Sequence, residues 1–133
     1  MRNNGFALIE GTLVVALFAL LGIIGIPKFN KDRIANNEAE AQKSLRNISI
    51  ACENYGKANN GIYPRQLSLL TGSEPKYLSI DYTFQPRRGY IYTFIPTDTG
   101  YTASAKPASC GNTGTQVYTI TTGGVLTLTA CGN

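Results

Sequence analysis

No histidine occurs anywhere in the 133 residues of this chain. Its absence removes the Ser-His-Asp and Cys-His arrangements of nucleophilic catalysis and every histidine metal site, so most enzyme chemistries lose a required part. Charge is sparse as well. Twelve Lys and Arg against eight Asp and Glu give a formal net charge of +4, and the only adjacent basic pair is Arg87-Arg88. A nucleic-acid surface clusters its cations along one face; Arg87, Arg88 and Lys106 read equally well as a solvated basic surface. No internal repeat and no low-complexity linker is present.

Cysteine is scarce too, and its three copies form an odd set. Cys110 and Cys131 each begin a Cys-Gly-Asn in the turn-rich C-terminal part, whereas Cys52 stands alone. In an exported chain the first two can oxidise to a bridge, the alternative being two free thiols. Closing a loop of about 20 residues would restrict the unfolded chain by roughly 3 kcal/mol in the chain-entropy model.

What the chain does have is a long apolar run near its start. Between residues 6 and 26 lie thirteen Leu, Ile, Val or Phe, each worth roughly 0.3 to 0.6 kcal/mol of insertion near a helix centre. As a helix this stretch is about 31 Å long, the thickness of a bilayer's hydrocarbon. Glu10 interrupts it, and a carboxylate near the middle costs about 3 kcal/mol. The run inserts in spite of the acid. The preceding MRNNG is too short and polar to supply the apolar core of a secretory signal. A short charged leader, then Gly5, Phe6 and a helix points instead to cleavage on the cytoplasmic side, with the span retained, and Arg2 fits the positive-inside rule.

Beyond Pro27 the composition turns to charge and alanine, with no glycine before Gly56. Ile34, Ala41, Leu45, Ile48, Cys52 and Tyr55 fall at separations of 7, 4, 3, 4 and 3, one apolar stripe on a helix. Cys52 lies in that stripe as a small hydrophobe. Asn59, Asn60, Gly61 and Pro64 end the helix, and PRQLSLL suits a short helical turn. Five β-branched and aromatic runs follow: SIDYTF, GYIYTFIPT, YTASAKP, QVYTITT and VLTLTAC. Separated by Gly, Pro and Asp, they read as antiparallel strands, with TDTG and TTGG as hairpin turns. In the last hairpin Tyr118, Ile120, Leu126, Leu128 and Ala130 alternate with Thr, which predicts one buried and one wet face.

GFALIE followed by an apolar run ending in IP resembles the prepilin signature of type IV pilins and of type II secretion pseudopilins. Gly5 before the cut, Phe6 after it, Glu10 four positions on and Pro27 at the end of the span all agree. Similarity extends to NNGIYP and, more loosely, to the Thr-rich strands and the C-terminal cysteine loop; Gly11 and Thr12 depart from the usual large apolar residues. The resemblance implies an α+β pilin fold: a leader (1–5), a membrane and filament-core helix (6–27), an amphipathic helix packed on the head (28–60) and a β-rich head (61–133). It implies a structural subunit of a type IV pilus and no enzyme, metal or cofactor. A prepilin peptidase would cleave between Gly5 and Phe6 and methylate the new amine. An inner-membrane platform with an ATPase-driven machine, and minor pilins beside it, would draw subunits from the cytoplasmic membrane into a homopolymer on the cell surface.

In such a bundle Glu10 is the natural partner of a neighbour's Phe6 amine, although the two also lie on one face of the same helix. Pro27 deprives the Ile23 carbonyl of its partner while Gly22 and Gly25 weaken the same turn, so the segment is either a flexible stretch or a plain kink. Residues 106–116 (KPASCGNTGTQ) contain no Asp or Glu, which disfavours the calcium loop of many pseudopilins. The pseudopilin and a DNA-uptake subunit stand as alternatives. An electron-conducting filament fits poorly, since Phe6, Phe18, Phe29 and Tyr55 lie at least about 16 Å apart along a helix. The mature chain is expected to begin at methylated Phe6, and intact-mass analysis of assembled material decides it: a chain retaining Met1 to Gly5 would contradict this processing.

Overall fold

The computed structural model describes residues 31–132, and within them one long helix, α1, covers 31–58. Its buried positions are Ala41, Ser44, Leu45, Ile48, Ser49, Ala51, Cys52 and Gly56, the 3.6-residue stripe expected of a helix that must hide one side. Ile34 and Tyr55, at the two ends of the predicted stripe, are half-buried, and the opposite face, with Lys43, Arg46 and Ile50, is exposed. α1 ends as its sequence dictates. Asn60 and Gly61 take positive φ (59° and 83°), and the Gly61 N–H donates to the Gly56 carbonyl at 2.7 Å, a left-handed cap that only Gly or Asn adopts cheaply.

A short helix α2, Ser68–Thr71, follows and contributes Leu70 to the core. Four strands then complete the fold: β1 (Tyr90–Pro96), β2 (Tyr101–Pro107), β3 (Gln116–Thr121) and β4 (Val125–Ala130). They form one antiparallel sheet in the order β1-β2-β3-β4. TDTG closes the first hairpin through Thr97 N–H to the Gly100 carbonyl at 3.0 Å, and TTGG the last through Gly124 N–H to the Thr121 carbonyl at 2.9 Å. The architecture is α+β: a long helix packed on an antiparallel sheet, with α1 from Ile34 onward, α2 and the sheet within the unit Ile34–Asn133.

The layer between α1 and the sheet is rich in tyrosine. Tyr90 and Tyr92 from β1, Tyr101 from β2 and Tyr118 from β3 are buried beside Ala103, Ala105 and Ile120. The rings of Tyr90 and Tyr118 lie 6.2 Å apart, and those of Phe94 and Tyr101 stack at 6.2 Å.

Two expectations are corrected. SIDYTF is not a strand; residues 79–84 form turns and bends. The Asp81 carboxylate accepts from the Thr83 N–H at 2.9 Å, and the Phe84 N–H donates to the Asp81 carbonyl at 3.3 Å. Local Asx-turn bonding thus outweighs the β-propensity of Tyr and Thr. The last hairpin is also less buried than its alternation implied: Tyr118 and Ile120 are buried, Leu126 is half-buried, and Leu128 and Ala130 are exposed. The cause is width. Four strands at about 4.8 Å spacing span roughly 14 Å, whereas one helix is about 10 Å across, so α1 covers β1 to β3 and leaves β4 overhanging. Among the described residues no helix is long and apolar enough to cross a membrane; the span expected at 6–27 lies outside them.

Cys52 is fully buried and unbridged. Burial, with the Glu53 carboxylate beside it, pushes its thiol up to about 12, and the thiolate is the reactive species. In the folded protein Cys52 is therefore expected to resist a maleimide at neutral pH and to react at once in denaturant. Stoichiometric labelling of the native chain, read by mass spectrometry, would refute its burial.

Candidate functional site

Two carboxylates of α1 key the helix to the sheet. Glu53 receives the Tyr101 hydroxyl at 2.9 Å and the Gly123 N–H at 2.8 Å on Oε1, and the Tyr63 hydroxyl at 3.0 Å on Oε2. Tyr101 has one hydroxyl proton and gives it to Glu53, so the Ser49 hydroxyl, 2.7 Å away, donates to Tyr101. One end of the helix is thereby tied to β2, to the β3–β4 turn and to the segment after the cap. Burial pushes the Glu53 carboxyl up, but the hydrogen bonds from Gly123, Tyr101 and Tyr63, with Lys57 nearby, outweigh it and hold the carboxyl below the ordinary glutamate value. The same contact, with burial, raises the Tyr63 hydroxyl.

Four turns earlier Glu38 accepts the Thr115 N–H at 2.8 Å and the Thr115 hydroxyl at 2.6 Å, and the Asn37 amide donates to the Thr113 carbonyl at 3.0 Å. Glu38 and Glu53 stand about 22 Å apart along α1. Their partners, Thr115 and Gly123, flank the two ends of β3. Helix and strand therefore run in the same sense.

The Glu38 end holds the C-terminal cysteine loop. Cys110 and Cys131 are joined in a disulfide with Cα atoms 5.8 Å apart. Within the loop Thr113 Oγ1 accepts the Ser109 N–H at 3.0 Å, and the Cys131 N–H donates to the Thr115 carbonyl at 3.0 Å. Gly114 is required here by close approach, since a Cβ would fall 2.2 Å from the Tyr90 hydroxyl oxygen. That hydroxyl donates to the Gln116 carbonyl at 2.9 Å. The loop is thus fastened to α1, β1 and β4 together.

Gly5, Phe6, Glu10, Gly22, Gly25 and Pro27 lie outside the described residues. Arg87, Arg88 and Lys106 share one end of the sheet, where Ile91 pairs with Lys106 and Arg87 bridges to Tyr90. The Arg87 guanidinium sits 5.5 Å from the centroid of the Tyr82 ring, a cation–π contact that gives it an intramolecular partner. Sequence reasoning missed Glu38, Glu53 and Ser49. Their one signal was polar residues bordering the apolar stripe of α1, which by itself reads as a solvated boundary.

Among known proteins, the chain is 30% identical over 111 residues, 82% of its length, to the type IV major pilin protein PilA of Myxococcus xanthus (strain DK1622). It spans 40% of that relative's length. No family model matches the chain, and no solved structure matches it. The similarity supports a type IV pilin family for this chain.

Glu53 should give the fold an acid limit. A carboxyl held low in the folded state contributes stability above its unfolded pKa, and that contribution fades as pH falls through the folded value. Glu53→Gln is expected to lower stability by about 1 kcal/mol at neutral pH and to flatten the loss on acidification below the ordinary glutamate range. Denaturation of both proteins at pH 7 and pH 3 measures it; parallel pH profiles would show that the Glu53 charge is not what the clamp uses.

Proposed function

We propose that this pilin-like chain is a structural subunit that polymerises through its N-terminal helix into a helical extracellular filament, a type IV pilus. The observation that carries the reading is the 30% identity to a major pilin along 82% of the chain. The helix-on-sheet head supports it. A disulfide in that head also suits a chain exported to an oxidising compartment.

In this reading a prepilin peptidase removes residues 1–5 and methylates the Phe6 amine, and the segment 6–27 holds the subunit in the cytoplasmic membrane. An assembly platform, its ATPase-driven machine and minor pilins then move it into the fibre. Passing from lipid to a bundle of like helices changes apolar burial little, because lipid tails are as apolar as leucine. Specific pairing must set the register instead. Glu10 is costly alone in such surroundings and so is a neighbour's Phe6 amine, and joining them removes both penalties at one axial offset. The chain acts as a building element and has no catalytic step, metal or cofactor in this reading.

Insertion and assembly should then respond oppositely to one change. Glu10→Ala makes the span more apolar and strands the amine, so the membrane-bound subunit is expected at undiminished level while sheared filaments fall about tenfold or more. Fractionation and shearing of one strain supply both readings. Filaments in normal amount with unchanged helical rise would show that this pair does not set the register.

A further inference from the structure

β4 is an edge of the sheet, and its bonding register can be worked out. The Cys131 N–H donates to the Thr115 carbonyl. That bond lies in the same antiparallel register as Gln116 opposite Ala130, so hydrogen-bonded pairs fall at every second position: Thr129 with Val117, Thr127 with Thr119, Val125 with Thr121. The intervening Leu126, Leu128 and Ala130 turn their N–H and C=O groups away from β3. Among the described residues no strand lies on that side.

Such an edge is ordinarily blunted by charge, proline or a bulge. Val125–Ala130 has none of the three: its sequence is VLTLTA and its ladder with β3 is unbroken. The opposite edge strand, β1, ends in Pro96 and follows Arg87-Arg88. Val125 and Leu128 are 56% and 59% exposed, so bare backbone and bare apolar surface coincide on one strand.

The edge is complementary to itself. Two copies placed antiparallel about a two-fold axis at Leu128 put Leu126 opposite the other copy's Ala130 and Leu128 opposite Leu128. Each outward N–H then meets an outward C=O, and Thr127 faces Thr129. The strand carries no charge, so two chains of net charge +4 meet without like charges opposed at the contact. A single six-residue edge falls short of the ~1,200 Å² typical of a stable interface. One pair is therefore weak, and an array of many copies makes it strong. Neighbours along a helical fibre meet head to tail, whereas this contact is isologous, so it joins copies in different fibres.

We propose that the β4 edge pairs antiparallel with the β4 edge of a second copy about a two-fold axis at Leu128, and that this contact ties neighbouring filaments side by side. The filament half of the proposal rests on the subunit reading above. The test uses the full chain in its own cells. In Leu128→Cys the two sulfur-bearing residues would have Cα atoms about 5.5 Å apart, and the native cysteines do not compete because Cys52 is buried and Cys110 is bridged to Cys131. A short bismaleimide on whole cells is expected to give a covalent dimer with Leu128→Cys and none with Thr93→Cys on β1. No dimer, equal dimer at both positions, or an adduct of other mass would overturn self-pairing, the last pointing to a strand from a different protein. Leu128→Lys, at an exposed site, is expected to leave filament number unchanged and to disperse bundles in electron micrographs; bundles persisting at the parental frequency would overturn the lateral tie. A parent strain with no filaments at all would defeat the subunit reading and the lateral tie together, while the cross-link still judges edge pairing by itself.

Discussion

A buried tyrosine needs its ring packed and its hydroxyl bonded, and four such tyrosines under one helix decide how this head is built. Tyr101 donates to Glu53 and accepts from Ser49, and Tyr90 donates to the Gln116 carbonyl; Tyr92 and Tyr118 lie beside the polar side chains of Ser44 and Gln42. Burial raises all four hydroxyls above the ordinary tyrosine value, so they remain neutral donors at physiological pH. For three of the four, the neighbouring polar side chain stands on α1. Rotating α1, or sliding it by one residue, would break the Tyr101 bonds to Ser49 and Glu53 and shift the polar side chains beside Tyr92 and Tyr118, at about 1 to 3 kcal/mol for each hydroxyl left without a partner. Apolar packing alone tolerates such slips far better. No buried side-chain nitrogen or oxygen lacks a partner among the described residues, so the keyed position satisfies all of them.

The carboxylates extend this keying to the ends of the sheet. Glu53 gathers Tyr101, Tyr63 and the β3–β4 turn, and Glu38 gathers the backbone at the entry to β3. Between them the helix axis is fixed alongside one strand. The same interface explains the position of Cys52, which lies in the stripe directly before Glu53, where a thiol packs as a small apolar group and stays protonated.

The extent to which sequence foretold this structure follows from the kind of information each feature uses. The α1 stripe, its Asn-Gly stop, the two hairpin turns and four of the five expected strands rest on periodicity and turn chemistry, which are local. SIDYTF failed because Asp81 bonds the backbone two residues on, a local competitor that strand propensity ignores. Leu128 and Ala130 failed for a reason no local pattern holds: alternation tells which side of β4 faces inward, and only the finished sheet tells whether a helix is wide enough to cover it. Glu38 and Glu53 were invisible for a similar reason, since their donors are 77 and 70 residues away at Thr115 and Gly123.

In the proposed filament subunit, keying α1 so firmly has a mechanical consequence. If the N-terminal helices set the spacing of subunits in a fibre, a head rigidly fixed to its own helix inherits that spacing, and any repeated feature on its surface becomes a regular row. The cysteine loop is fastened at one end of β3 and the β3–β4 turn at the other, so β4 between them is held in a fixed orientation too. A loosely attached head would present its exposed edge at varied angles, and weak edge contacts would not add. Held in a row they share one geometry, and association too weak for a single pair becomes effective through repetition. Overhang and rigidity thus belong together: one helix is too narrow to cover four strands, and because it is locked to three of them, the fourth is offered outward in the same way by every copy.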